Sequence, residues 1–152
     1  EGAIPRWTKV QNAVCDQIFS TSGLAIGTTT TKVKTATAFR FFADGVYGLK
    51  AITDDAFTLA GTVTNAKFNV FVMYIASDGT LSSLMGTEGA TRAAVVFPTT
   101  PSGYAVIGFV EINPTGTGNF VGGTTPLGDA TVVPNAVYVN TPYATAFNAI
   151  SL

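Results

Sequence analysis

Histidine is absent from this chain, cysteine occurs once, and charge is scarce: eight Lys and Arg and nine Asp and Glu make up 11% of 152 residues. The shortage is sharpest towards the C-terminal end. From Ala93 to Leu152 there is no Lys or Arg, and the only charged side chains are Glu111 and Asp129. Without histidine, Ser–His and Cys–His dyads are excluded, as are histidine metal sites. The lone Cys15 forms no intrachain disulfide. Its neighbours Trp7, Val10, Val14 and Ile18 mark it as a small buried apolar residue, since a catalytic thiolate needs a basic or cationic partner. No apolar run approaches the roughly 18 residues that span a bilayer. The opening Glu1-Gly2-Ala3-Ile4-Pro5-Arg6 lacks the basic-then-apolar pattern of a secretory leader. A net charge of −1 leaves no broad footprint for nucleic acid. Lys32, Lys34 and Arg40 form at most a local basic group, of the kind that protects a sheet edge. Neither a membrane nor a nucleic acid is expected as a partner.

What is present is β-forming. The hydrophobic fraction is 47%, and 152 residues suffice for one domain with a proper core. The β-branched run Thr28–Thr31 leads into the alternating Lys32-Val33-Lys34-Thr35. Phe39-Arg40-Phe41-Phe42 and Val46-Tyr47-Gly48-Leu49 flank Asp44-Gly45, a strong hairpin signal because both turn residues tolerate positive φ. The pattern repeats with Phe68–Ile75, Asp78-Gly79 and Thr80–Leu84. Further strands are predicted at Ala93–Phe97, Tyr104–Ile112 and Ala136–Asn140. Pro98, Pro101, Pro114, Pro126, Pro134 and Pro142 all fall between strands, as a hydrogen-bonded ladder requires. Phe68–Ile75 and Tyr104–Ile112 carry apolar residues on both faces, which places them inside a sandwich or at a subunit interface. The expected fold class is all-β: an antiparallel β-sandwich or β-barrel over residues 24–152, preceded by an N-terminal arm or short helix over residues 1–23.

That leading segment differs from the rest. Trp7, Val10, Val14 and Ile18 follow at spacings of three, four and four, a helical stripe with Pro5 just ahead of it. It reads either as an arm whose apolar residues dock on a neighbour or as an element packed on its own domain. A charged fraction of 11%, against roughly 25% in average soluble domains, removes the repulsion that keeps chains apart and favours life in an assembly over a monomer solubilised by Thr, Ser and Asn. The candidate contact residues are therefore Trp7, Val10, Val14 and Ile18, with Thr115, Asn119 and Phe120 in the loop Thr115–Thr125 as a second set.

Catalytic equipment is sparse. Asp44 and Asp78 are accounted for by their turns. Asp54-Asp55 is either a solvated loop pair or a partial site for a hard cation, and a glycosidase pair such as Asp55 with Glu111 depends on a spacing the sequence does not give. Gly116–Gly123 departs from G-x-G-x-x-G and no amphipathic helix follows, so it reads as a turning loop rather than a phosphate cradle. No catalytic, cofactor or metal residue is assigned, and a non-enzymatic role is expected.

Gly103-Tyr104-Ala105-Val106-Ile107-Gly108-Phe109-Val110-Glu111-Ile112, the following Asn113–Phe120 loop, and Gly122-Gly123-Thr124-Thr125 with Leu127–Thr131 resemble the C-terminal part of small β-rich structural proteins of tailed bacteriophages. The Phe41–Leu49 hairpin resembles their middle part, and the likeness covers about Phe39 to Asn140. It implies a head decoration (cement) or head-fibre protein on the outer capsid surface of the virion. Its partners would be the major capsid protein or other virion subunits, and it would be a homo-oligomer with a trimer favoured. The alternative is a receptor- or glycan-binding fibre or adhesin module, which predicts that Tyr138, Tyr143 and Phe147 gather in one groove.

Overall fold

Two turns organise the middle of the chain. In the first, Asp44 and Gly45 take φ of 47° and 80°, the left-handed pair a two-residue hairpin needs. In the second only Gly79 is left-handed, at φ 84°. The Ala76 amide donates to the Thr80 carbonyl and the Gly79 amide to Ala76, so Asp78 sits inside a wider turn and its Oδ1 accepts from the Thr80 amide. Both expected hairpins are present, the second with a longer loop than Asp-Gly alone suggests.

The computed structural model describes residues 15–147 and residue 152. The chain runs through β1 (Gln17–Ile18), β2 (Leu24–Ile26), β3 (Lys32–Thr35), β4 (Phe39–Ala43), β5 (Val46–Lys50), β6 (Thr53–Thr58), β7 (Thr62–Val63), β8 (Asn69–Ile75) and β9 (Leu81–Met85). A 3-10 turn at Arg92–Ala94 precedes β10 (Ala105–Ile112), β11 (Phe120–Val121) and β12 (Val137–Asn140). All pairings are antiparallel, in sheets of order β12-β10-β8-β9, β1-β4-β5, β2-β3-β6 and β11-β7. The fold is all-β with sandwich-like packing and no closed barrel.

The four-stranded sheet carries the core on both sides. Its inner face offers Phe71, Met73, Ile75, Ile107, Val110 and Ile112, packed on Ile18, Phe39, Phe41, Phe57, Leu59 and Phe120 from the smaller sheets. A β-bulge makes this possible. The register of β10 on β8 slips between Val106 and Gly108. Ala105 before the slip and Ile107 within it face the main core, and Val110 and Ile112 face it after. One extra residue reverses the alternation, so both halves of the strand keep large apolar groups inward. Each such side chain contributes about 1.5–3 kcal/mol by leaving water.

The opposite face of β8 and β10 is also covered. Val70, Val72, Tyr74 and Val106 pack with Val95 and Phe97, and Phe68, Tyr104, Phe109, Phe147 and Leu152 close the edges. Phe97 meets Phe109 and Phe147 edge-on, at centroid distances of 4.9 and 5.0 Å. Of the two expected settings for these doubly apolar strands, the interior of this chain's own fold is the one found.

Ala93–Phe97 is not the strand expected. β8 and β10 have both edges occupied, so this segment lies over their face: a 3-10 turn, then an isolated bridge between Thr87 and Val96. Thr28–Thr31 likewise forms the β2–β3 turn rather than part of a strand. Lys32 and Lys34 sit on β3, which is paired on both sides, so they guard no edge; Arg40 belongs to a different sheet. Ile18 pairs with Phe41 and is 0% exposed, so the β fold begins by Gln17.

Candidate interaction surface

β4 alternates cleanly: Phe39, Phe41 and Ala43 are buried, while Arg40 is exposed and Phe42 half-buried on the other face. Opposite them on β5 stand Leu49, across from Arg40, and Tyr47, across from Phe42. Gly48 turns the remaining position inward; its Cα lies against the Phe41 ring, where an added Cβ would come within 2.6 Å of Cζ. The outward set is therefore Arg40, Phe42, Tyr47 and Leu49. Two flanking segments extend it. The Phe19 amide donates to the Arg40 carbonyl (3.0 Å), which sets Phe19 beside the sheet's outer face. The Tyr143 amide donates to the Ile18 carbonyl (2.8 Å).

The rings meet. Phe19 lies 5.7 Å from Tyr47 and 6.3 Å from Tyr143, centroid to centroid. The Arg40 guanidinium stands 5.8 Å over the Tyr47 ring, in cation–π range. Tyr47, Leu49 and Tyr143 are 57%, 59% and 64% exposed. Beside them β5 pairs only with β4, so among the described residues its second edge is unpaired. An aromatic face next to an open strand edge can bury apolar area and extend a hydrogen-bonded ladder at once. The Arg40 guanidinium over Tyr47 is not a nucleophile.

Several carboxylates fasten turns and loops. Hydrogen bonding from Thr28, hydroxyl first and amide second, holds Asp54 below the usual carboxylate range. Asp55, left-handed at φ 49°, accepts from the Thr29 amide and hydroxyl. The pair thus fastens the β2–β3 turn to β6. The Thr64 amide and hydroxyl hold Glu88 low, and the Thr131 hydroxyl and amide do the same for Asp129. Glu111 is engaged by Arg92 on the far face of the main sheet. No group of three or more Cys, Asp or Glu converges among the described residues.

Of the expected contact residues, Trp7, Val10 and Val14 lie outside the described residues. Ile18 is spent in this chain's own core, because β1 pairs with β4 and turns the side chain inward. Thr115 and Asn119 are exposed, though the Asn119 Oδ1 accepts from the Asn65 amide. Phe120 is 0% exposed: it pairs with Val63 and its ring packs on Phe71, 5.8 Å away. The expected aromatic groove does not assemble. Tyr138 is half-buried against the main core, Phe147 joins the second core, and Tyr143 alone reaches the exposed face. Sequence reasoning missed Phe19, Tyr47 and Leu49. The available signal was Phe41-Phe42, adjacent apolar residues that must point to opposite sides of a strand.

Comparisons with protein-family models, with curated proteins and with solved structures return no match.

Proposed function

We propose that this chain is a non-enzymatic structural subunit of a virion, carried on the outer capsid surface and joined to neighbouring subunits through the outward face of the β1–β4–β5 sheet. One observation carries the reading: Tyr47, Leu49 and Tyr143 are more than half exposed, contiguous, and set beside an unpaired strand edge. A chain with so little charge gains from covering such a face. The engagement of its carboxylates in turns is consistent with a role free of acid–base chemistry. The phage setting rests on the sequence resemblance. Apolar burial at about 25 cal/mol per Å², less the ordering costs of association, would supply the binding energy.

The test is co-sedimentation with capsid shells of a phage whose genome encodes the chain. Wild type pellets with shells; a Tyr47→Lys/Leu49→Lys chain, folded by circular dichroism, loses at least tenfold in binding. A wild-type chain that stays a monodisperse monomer and pellets with no shell ends the proposal.

The ring set Phe19, Tyr47 and Tyr143 also favours a second reading, a stacking platform for the apolar face of a sugar in a receptor-binding module. Glycan-array binding that disappears in Tyr143→Ala would support it, and an array without hits would remove it.

A further inference from the structure

We infer that the free edge of β5 pairs with the same edge of a second copy of this chain, antiparallel about a two-fold axis at Gly48, so that two chains share one continuous sheet. The inference deepens the reading above, on whose interaction surface it rests: one neighbour is a second copy, held by the strand edge, and the aromatic face is left to the shell.

β5 is an edge that the fold leaves open. Elsewhere edges are closed: the Tyr143 amide caps the far side of β1 at the Ile18 carbonyl, and Asn140 Oδ1 on β12 accepts from the Leu24 amide and the Ser22 hydroxyl, which joins β12 to β2. β5 pairs with β4 alone among the described residues. It also lacks the usual guards. It holds no proline, and its one charge, Lys50, turns its ammonium to the Gly79 carbonyl at 2.9 Å.

Hydrogen-bond phase then selects a copy as the occupant. The two-residue turn makes Ala43 and Val46 a hydrogen-bonded pair, so Val46, Gly48 and Lys50 direct their backbone groups to β4, while Tyr47 and Leu49 direct theirs outward. The Phe19 amide on the Arg40 carbonyl fits that phase: Arg40, across from Leu49, faces away from the β4–β5 seam. A two-fold at Gly48 sets each Tyr47 opposite the Leu49 of the other copy, and the outward amides and carbonyls of both residues all find partners. A two-fold at Tyr47 or at Leu49 satisfies half of them within the strand. The side chains agree. Opposite residues share a face, so each Tyr47 ring meets a Leu49, an aromatic–aliphatic pair, and Gly48 meets Gly48 with no side chain to crowd the axis. The charges agree as well. Asp16 and Asp44 mark one end of β5 and Lys50 the other, and an antiparallel copy brings unlike ends together.

Leu49→Pro removes one outward amide and leaves the β4 ladder intact. In sedimentation velocity wild type should associate as its concentration rises, and this variant at least tenfold less, with circular dichroism and melting reporting its fold. Register is read separately, in case the proline chain misfolds. In a Cys15→Ser background, Tyr47→Cys and Leu49→Cys chains are oxidised alone and mixed. Opposite positions have Cα atoms about 5.5 Å apart, within disulfide reach, whereas two chains of one kind place their thiols out of register, beyond the roughly 7 Å that a disulfide spans. The mixture should therefore form a covalent dimer and neither chain alone should. Four results overturn the inference: a wild type that is monomeric at every concentration or closes as a trimer, a folded Leu49→Pro chain that associates like wild type, a mixture that crosslinks no better than the single chains, or a Trp7→Ser/Val10→Ser chain that no longer associates, which would put the contact in residues 1–14. Shell binding by a chain that stays monomeric would keep the structural-subunit reading and discard the two-fold; a crosslinked dimer that pellets with no shell would do the reverse.

Discussion

Arg92 and Glu111 face each other as a fork: Nε donates to Oε1 at 2.7 Å and an Nη2 hydrogen to Oε2 at 2.8 Å. Glu111 sits on β10 at 6% exposure, whereas Arg92 opens the segment that lies over the sheet and is itself largely exposed. The pair therefore neutralises a buried carboxylate and clamps the cover of the second core.

Removing the cation should cost more than removing both partners. Arg92→Ala leaves the Glu111 carboxylate buried without its counter-charge, so the melting temperature should fall. Arg92→Ala with Glu111→Ala should recover part of that loss. Thermal melts of the two singles and the double give the coupling, and strict additivity would show that the fork does not hold the segment down.

The Tyr74 hydroxyl is buried and has no hydrogen-bond partner among the described residues. Thr100 is the nearby candidate: its Oγ1 donates to the Phe147 carbonyl (3.1 Å) and accepts from the Phe147 amide (2.8 Å), which leaves one lone pair facing no described donor at hydrogen-bond distance. Tyr74→Phe removes an unsatisfied polar group and keeps the ring. It should be neutral or stabilising by up to about 1 kcal/mol in urea titrations. A loss of 1 kcal/mol or more would mean that the hydroxyl is satisfied in solution.

Gly116 has a packing reason rather than a conformational one. A Cβ there would stand 1.5 Å from the Thr131 carbonyl oxygen, a backbone atom that cannot step aside alone. Gly116→Ala should destabilise by about 1–3 kcal/mol, as overpacking does. Gly118→Ala, with nothing within 4 Å of the added carbon, is the control and should differ from wild type by less than about 0.5 kcal/mol.

Stability should fall at both ends of the pH scale. Burial pushes Tyr138 up to about 12 from 10.0 and raises Tyr74 as well. The Tyr138 contribution is complete below pH 10, where the unfolded phenol is neutral, and is lost as the pH rises from 10 towards 12; Tyr74 adds to the loss above 10. Tyr138→Phe should flatten the alkaline limb of a melting-temperature profile. Asp54, Asp78, Glu88 and Asp129 are held low by threonine hydrogen bonds, so their contribution is present above the unfolded values of 3.8 for Asp and 4.5 for Glu. It is lost as the pH falls through the lower folded values. A melting temperature flat between pH 2 and 5 would contradict these contacts.

Local chemistry by itself determined the all-β class, the Asp44-Gly45 hairpin and the placement of prolines between strands. Those outcomes follow from alternation, turn φ preferences and missing amides, all of which act within a few residues. Only tertiary packing decided the rest. It covered the second face of β8 and β10 from within the chain, turned Ile18 and Phe120 inward, and folded Ala93–Phe97 over a sheet with no free edge to offer it. It also brought Phe19, Tyr47 and Tyr143 together from three distant stretches. Periodicity states that a side of a strand is apolar; which surface covers that side depends on where the other strands pack, and no local pattern encodes that.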